Sequence, residues 1–166
     1  MSVFADKARD LGTVNSNYLH EVLHPQITKE LIKSFAKLIK SSKVKFDAIA
    51  FSGMSGALVA PLLSLKLGKP LLLVRKDNDG SHGYEMEGLA FPTLGERKHV
   101  IIIDDLICSG ATIKRMLDRL IRKGIDCNGI FLYKGSDSCS KKIDKGFDHN
   151  GKTYKVICLE PDTEKK

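Results

Sequence analysis

The chain has 166 residues, 42% of them hydrophobic and 28% charged, which is typical of one compact globular domain and leaves no need for a second one. No apolar run approaches the length of a membrane span, and no hydrophobic leader follows Met1, which excludes a membrane-spanning protein. The four cysteines have no C-x-x-C spacing and lie in or beside apolar segments, which favours reduced thiols over disulfides or zinc. We therefore expect a cytoplasmic protein.

The net charge of +7 raises the question of a nucleic-acid partner. Lys29, Lys33, Lys37 and Lys40 recur at helical spacing, which favours the solvated face of one helix over a polyanion-binding surface. Basic residues interleaved with aromatics, as in nucleic-acid modules, are absent from the sequence. We therefore do not expect nucleic acid as a partner, whereas a positive potential would still assist binding of a small, highly anionic substrate.

Hydrophobic periodicity predicts helices alternating with strands along the chain. The predicted elements are a helix at 25–40, a strand at 48–52, a helix at 56–67, strands at 71–74 and 99–103, a helix at 113–123, and strands at 129–133 and 154–159. Strands separated by helices of this length imply right-handed crossovers. The predicted fold class is therefore α/β, with a doubly wound, mostly parallel sheet.

The predicted strand at 99–103 is the most informative segment. Its β-branched run suits a strand that is buried on both faces of a parallel sheet. Asp104 and Asp105 follow at its carboxyl end, which is where ligands bind in open α/β folds. Adjacent carboxylates at that position can accept hydrogen bonds from vicinal sugar hydroxyls or hold a hydrated Mg²⁺.

A small, hydroxyl-rich turn comes next and opens the predicted helix at 113–123. Gly110 permits close approach of a ligand to the backbone, and the helix start contributes its positive dipole end. Ser109 and Thr112 add hydroxyl donors. A phosphate monoester is expected to bind at Cys108, Ser109, Gly110, Ala111 and Thr112.

Residues 104–112, Asp-Asp-Leu-Ile-Cys-Ser-Gly-Ala-Thr, resemble the 5-phosphoribosyl 1-pyrophosphate (PRPP) binding signature of type I phosphoribosyltransferases. The alternative is a buried strand whose two acids cap the following turn and bind nothing, although buried carboxylates are costly unless they are used. The resemblance covers about residues 46–133. Within residues 46–76, the chain looks most like the adenine and orotate branches of that family.

Two further segments match functional loops of that family. Ser52, Gly53, Met54 and Ser55 follow a predicted strand and resemble the pyrophosphate loop, although adenine enzymes usually carry Arg where this chain has Ser55. A plain strand-to-helix turn is the alternative for this segment.

Residues 75–92 form a long predicted loop at the position of the family's flexible lid. Arg75 and Lys76 match the basic root of that lid, which contacts pyrophosphate, whereas Asp79 and His82 depart from the family's pattern. Ordinary surface salt pairing is the alternative role for Arg75 and Lys76.

The resemblance implies the type I phosphoribosyltransferase fold in one domain spanning 1–166, with a core at about 26–133 and a small hood from 1–25 and 135–152. Tyr18, His20 and His24 are candidate base-contacting groups, but the base pocket matches no branch residue by residue.

The implied activity is transfer of ribose 5-phosphate from PRPP to a nitrogenous base, a purine such as adenine or otherwise orotate, with release of pyrophosphate. Arg75, Lys76, Asp104 and Asp105 would be the catalytic residues. Mg²⁺ would be the cofactor, held indirectly by Asp104 and Asp105 through PRPP and water, and a homodimer is expected. Two alternatives stay open: a PRPP-sensing regulatory or RNA-binding protein on the same fold, and a phosphate-binding α/β protein outside the family.

Overall fold

The computed structural model describes residues 19–76, 84–88, 98–134 and 146–159. Most of the predicted hood, much of the predicted lid with Asp79 and His82, and Tyr18 therefore lie outside the described residues. His20, His24, Arg75 and Lys76 lie within them.

The described residues contain helices that alternate with strands, as the sequence predicts. The helices are α1 (His20–Leu23), α2 (Pro25–Ser41), α3 (Gly53–Leu67) and α4 (Ala111–Arg122). The strands are β1 (Ala48–Phe51), β2 (Leu71–Val74), β3 (Met86–Gly88), β4 (Lys98–Asp104), β5 (Ile125–Leu132), β6 (Phe147–His149), β7 (Lys152–Tyr154) and β8 (Val156–Cys158).

Six of these strands form one sheet in the order β3-β2-β1-β4-β5-β8. All neighbours pair in parallel except β3, which pairs antiparallel with β2 at one edge. Strand β4 lies inside the sheet, with Ile102 paired to Ala50 of β1 and to Ile130 of β5. The predicted mostly parallel α/β sheet is confirmed.

Helices cover both faces of this sheet, which makes it doubly wound. On one face, Val100 and Ile102 of β4 share a buried cluster with side chains of α4. On the other, Ile101 and Ile103 share a second cluster with side chains of α2 and α3. Burial on both faces explains why β4 is continuously apolar rather than alternating.

A separate hairpin packs against α4. Strands β6 and β7 pair antiparallel, and Asn150 and Gly151 join them with φ values of +50° and +75°. Two consecutive residues with positive φ are characteristic of the type I′ turn, for which Asn-Gly is the preferred pair. His149 of the hairpin lies 2.6 Å from Asp118 of α4, measured between Nε2 and Oδ1.

The strands differ from the prediction in three places. β5 begins at Ile125 rather than at 129, because polar residues interrupt the apolar pattern of its first half. The single strand predicted at 154–159 is two strands, because Tyr154 ends the hairpin and Val156 begins the sheet strand β8, with Lys155 between them. Strand β3 lies inside the predicted lid loop and was not expected, since Met-Glu-Gly offers neither alternation nor a β-branched residue.

Helix α3 begins at Gly53 rather than at residue 56. Ser52 precedes the helix with extended backbone angles, φ −145° and ψ 146°. The first turn contains glycine and serine, which have low helix propensity, and the sequence pattern therefore predicts a loop there.

None of the helices in the described ranges combines the length and the apolar character that crossing a membrane would require.

Candidate active site

A cavity of about 360 Å³ opens at the carboxyl ends of β1, β2 and β4. The topology creates it, since parallel strands deliver their following loops to one edge of the sheet. The sequence-predicted site residues that line it are Ser52, Gly53, Met54, Ser55, Lys76, Asp104, Asp105, Cys108, Ser109, Gly110, Ala111 and Thr112. Of the predicted set, Arg75 is not among the lining residues.

The acidic pair is anchored by the sheet. Asp104 ends β4, and its carbonyl accepts the N–H of Tyr133 at 3.1 Å, while the carbonyl of Asp105 accepts the N–H of Lys134 at 2.9 Å. The two residues are only 6% and 4% exposed. Their positions are therefore fixed by backbone pairing with the segment after β5, not by a loose loop.

The two carboxylates have different hydrogen-bond surroundings. Asp104 Oδ1 accepts the backbone N–H of Asp105 at 2.9 Å and the hydroxyl of Ser55 at 3.2 Å. Among the described residues, the buried Oδ2 of Asp105 has no hydrogen-bond partner. A buried acceptor left unsatisfied is costly, so this oxygen is suited to a ligand hydroxyl.

Burial raises the pKa of both carboxyl groups above the usual 3.8. For Asp104, the hydrogen bonds from Asp105 and Ser55 and the positive charges of Lys76 and Arg115 oppose that rise. For Asp105, backbone hydrogen bonds and then Lys134 oppose it. These positive charges thus offset part of the cost of two buried acids.

The predicted phosphate loop leads directly into α4. Gly110 precedes the helix with φ +76°, a left-handed conformation that glycine adopts without strain. A Cβ at Gly110 would lie 2.8 Å from Cε2 of the Phe147 ring, so there is also no space for a side chain. The first N–H groups of α4 have no partner within the helix, and that of Ala111 donates to the Ser109 hydroxyl at 3.3 Å.

Residues 52–55 are the N-cap and the first turn of α3, and so a second helix start borders the same cavity. The hydroxyl of Ser52, in a residue only 2% exposed, has no hydrogen-bond partner among the described residues. Two helix N-termini around one cavity provide two sites of positive potential for anionic groups.

Lys76 reaches the cavity by passing over Gly53. A Cβ at Gly53 would lie 3.2 Å from Cε and 3.4 Å from Nζ of Lys76, and Gly53 has φ +70°. A glycine at this position therefore leaves room for the lysine side chain beside the start of α3.

Arg75 turns away to β3 instead. Its Nε donates to Oε1 of Glu87 at 2.8 Å, and its terminal nitrogen lies 2.6 Å from the same oxygen. The backbone N–H of Arg75 also donates to the carbonyl of Glu85 at 3.0 Å. Salt pairing is the alternative role that the sequence leaves open for Arg75, but the sequence could not name the partner, because Glu87 lies on the unpredicted strand β3.

Sequence reasoning missed two supporting aromatic residues. The Tyr133 hydroxyl donates to the carbonyl of Ser55 at 3.1 Å and so ties the start of α3 to the end of β5. Tyr133 lies at the carboxyl end of a predicted strand, and this position is the sequence signal by which its role could have been found. Phe147, which packs against Gly110, carried no signal, since it follows a segment with no recognisable pattern.

The candidate groups for a base are less defined. Leu19 lines the cavity, whereas His20 and His24 are not among its lining residues. The rings of these two histidines lie 6.1 Å apart.

The acids also bear on metal binding. Within the described ranges, no group of three or more His, Cys, Asp and Glu side chains is arranged to hold a metal ion. Two carboxylates, one with an unsatisfied oxygen, fit a hydrated Mg²⁺ ion that they would hold indirectly, through water and the substrate.

The geometry defines a class: a doubly wound α/β protein whose sheet edge holds an acidic pair between two helix N-termini, suited to an anionic sugar phosphate. The family model described as "Phosphoribosyl transferase domain" matches residues 19–160. The chain belongs to this family, and it is of the type I phosphoribosyltransferase class.

Individual relatives agree with this assignment. The chain is 33% identical over 142 residues to the adenine phosphoribosyltransferase of Ureaplasma parvum, covering 73% of this chain and 79% of that protein. It is 29% identical over 122 residues to the orotate phosphoribosyltransferase of Pyrococcus abyssi, covering 70% and 65%. The crystal structure of adenine phosphoribosyltransferase from Saccharomyces cerevisiae superposes with a TM-score of 0.66 at 20% identity, covering 90% of this chain and 88% of that one; it supports the fold alone.

Proposed function

We propose that the protein is an active phosphoribosyltransferase that transfers ribose 5-phosphate from PRPP to a purine base, adenine first, and releases pyrophosphate. The observation that carries the proposal is the single cavity that gathers the acidic pair, both helix starts and Lys76. PRPP has the matching parts: a 5-phosphate, a diol and a pyrophosphate.

The 5-phosphate is assigned to the start of α4. Backbone N–H groups at Ser109–Thr112 and the adjacent hydroxyls supply donors, and the helix dipole favours the negative charge. Gly110 allows the left-handed turn that opens the helix beneath the Phe147 ring. This end of the substrate does not react, so its binding energy serves to hold the ribose in place.

The pyrophosphate is assigned to the start of α3 and to Lys76. Residues 52–55 line the cavity together with the lysine, and the Ser52 hydroxyl has no hydrogen-bond partner among the described residues. Positive groups at this end stabilise the charge that accumulates on the leaving group. Bound Mg²⁺ would supply further charge screening, with its protein side formed by Asp104 and Asp105 through water.

Departure of pyrophosphate leaves an oxocarbenium-like ribose, so no protein nucleophile is required. The two carboxylates accept the ribose hydroxyls and lie beside the developing positive charge. The protein contributes mainly by orienting PRPP against the base and by electrostatic stabilisation. A homodimer in the cytoplasm is part of the same proposal.

The choice of base rests on sequence similarity. The adenine enzyme of Ureaplasma parvum at 33% identity supports adenine, and the orotate enzyme of Pyrococcus abyssi at 29% makes orotate the next candidate.

The test is pyrophosphate release from PRPP and Mg²⁺, assayed separately with adenine, guanine, hypoxanthine, xanthine, orotate and uracil. We expect release with adenine, and its loss in the double variant Asp104→Asn/Asp105→Asn. Asp126→Asn is the matched control, because this half-buried acid lies at the opposite end of the sheet, paired in register with His99.

No release with any base would refute the proposal. If calorimetry still detected PRPP binding in that case, the PRPP-sensing regulator would replace the enzyme as the explanation of the site.

A further inference from the structure

Arg119 of α4 is the only buried arginine or lysine among the described residues, with 6% of its surface exposed. It is not among the residues that line the cavity, so the proposed function does not account for it. Taking a guanidinium out of water is costly unless its donors find partners. The contacts of Arg119 therefore indicate its role.

The buried guanidinium joins the end of β2 to the segment before β3. One of its terminal nitrogens donates to the backbone carbonyl of Arg75, the residue that follows β2. Its Nε lies 3.9 Å from Oε1 of Glu85, the residue that precedes β3. The backbone N–H of Arg75 also donates to the carbonyl of Glu85 at 3.0 Å, so both segments are held together against α4.

The carbonyl that Arg119 contacts belongs to the peptide group that also contains the N–H of Lys76. Because a peptide group is planar, a hydrogen bond to its oxygen also fixes the direction in which the chain enters Lys76. Strand β2 ends at Val74, two residues before this lysine, whose side chain lines the cavity beside Gly53. The contact from Arg119 thus supports the backbone just where the strand has ended.

We propose that Arg119 is a positioning residue for Lys76: its guanidinium fixes the peptide group between Arg75 and Lys76 and so directs the lysine ammonium to the pyrophosphate of PRPP. The inference rests on the proposed function, which assigns the pyrophosphate to Lys76 and the start of α3. It gives α4 a second role. The helix whose start is assigned to the 5-phosphate also holds, through Arg119, the lysine assigned to the other end of the substrate.

Arginine suits this role for a geometric reason. Its planar guanidinium presents five donors in a fixed fork, so it can donate to a carbonyl and face a carboxylate at the same time. The carboxylate of Glu85 is also bound by Arg122, whose Nη2 lies 2.9 and 3.1 Å from its two oxygens. Among the described residues, Arg122 thus shares Glu85 with Arg119 but does not contact the carbonyl of Arg75.

The test compares Arg119→Met with Arg122→Met in calorimetric binding of inorganic pyrophosphate in the presence of Mg²⁺. Methionine keeps a long, unbranched side chain of high helix propensity and removes the donors. Arg122→Met is the matched control, because it removes one positive charge from the same helix and from the same carboxylate but leaves the bond to the Arg75 carbonyl in place. We expect Arg119→Met to bind pyrophosphate about tenfold more weakly than the wild type, a typical coupling for residues in contact, and Arg122→Met to bind it as the wild type does.

A double-mutant cycle with Lys76→Ala distinguishes positioning from a general loss of structure. If Arg119 acts through Lys76, then Arg119→Met should cost little further affinity once the lysine side chain is absent. Additive losses in the double variant, or an equal loss in Arg122→Met, would overturn the inference. Should Arg119→Met fail to fold, Arg119→Gln, whose shorter side chain keeps a polar end, replaces it with the same expectations.

A second measurement needs no ligand. The amide nitrogen of Lys76 shares its peptide group with the carbonyl of Arg75, so its NMR chemical shift reports the hydrogen bond from Arg119. Arg119→Met should shift this resonance in the ligand-free protein, whereas Arg122→Met should not.

The two measurements separate this inference from the proposed function. If the wild type binds pyrophosphate but releases none from PRPP, the proposed function fails while the cycle with Lys76→Ala still decides the role of Arg119. If the wild type is active and Arg119→Met changes neither the pyrophosphate affinity nor the Lys76 resonance, the inference is wrong while the proposed function stands.

Discussion

Replacing Asp105 by asparagine should stabilise the folded protein at neutral pH while it removes activity. Asp105 is 4% exposed, and its Oδ2 has no hydrogen-bond partner among the described residues. Burial raises its pKa above the usual 3.8. The folded state therefore holds the proton to a higher pH than the unfolded chain does, and the ionised carboxylate opposes folding at neutral pH.

The magnitude follows from the desolvation of the buried carboxylate, since burying a polar group without compensation costs roughly 1–3 kcal/mol in mutational data and a neutral amide costs less than a charge. Asparagine removes the charge but keeps an oxygen in place, so we expect about 1 kcal/mol of added stability, or roughly 2–4 °C in Tm for a chain of this size. The stability contributed by protonated Asp105 is fully present below 3.8 and is lost as pH rises through the raised pKa. The gain in Asp105→Asn should accordingly be largest at neutral pH and vanish below 3.8.

Differential scanning calorimetry across this pH range measures the effect, and pyrophosphate release measures the activity. A Tm below the wild-type value at neutral pH would refute the reasoning, because it would mean that the fold stabilises the charge of Asp105. Retained activity in a stabilised variant would remove Asp105 from the substrate-binding residues.

Asp118→Asn is a control of opposite sign and a prediction in its own right. The hydrogen bond from His149 of the hairpin, at 2.6 Å, is the main cause that lowers the pKa of Asp118. Stability from this carboxylate is present above 3.8 and is lost as pH falls through its lowered pKa. Asp118→Asn should therefore lower Tm at neutral pH by an amount that shrinks in acid; a constant difference at all pH values would contradict this.

Three further predictions concern the walls of the cavity. Gly110→Ala should lower Tm, since it forces a side chain into φ +76° and against the ring of Phe147, and adding Phe147→Leu should recover part of the loss in a double-mutant cycle. Lys76→Ala should weaken pyrophosphate binding in calorimetry by more than Arg75→Ala, because only the lysine lines the cavity; equal losses would mean that Arg75 leaves Glu87 to contact the ligand. The exposed thiol of Cys108 lines the cavity, so PRPP should slow its alkylation by iodoacetamide, and an unchanged rate would place the phosphate elsewhere.

The sequence predicts the structure best in segments where one physical property, such as a continuous apolar run, determines the local structure. The apolar run before Asp104 could only be a strand buried on both faces, and the two acids after it had to lie at the carboxyl edge of the sheet. The glycine-bearing turn before α4 could likewise be assigned from its composition. These local features predicted most of the cavity wall, since parallel topology brings separate loops to one edge.

The remaining parts depended on contacts between distant segments. The orientation of Arg75 depends on Glu87 of β3, a three-residue edge strand with no periodic pattern. The hydrogen bond between Ser55 and Asp104 joins positions 49 residues apart. No local pattern encodes such pairs, which is why the sequence named the residues of the site but not the partners of their side chains.

Strand β3 has a consequence for how the molecule behaves in a crowded solution. Without it, β2 would end the parallel sheet with an open row of backbone donors and acceptors, ready to pair with a strand of another chain. β3 pairs with this edge of β2 through only three residues. The backbone of its Gly88 lies so close to β2 that a Cβ there would be 2.3 Å from the carbonyl oxygen of Leu71. The same short strand that draws Arg75 away from the cavity thus protects the edge of the sheet against aggregation.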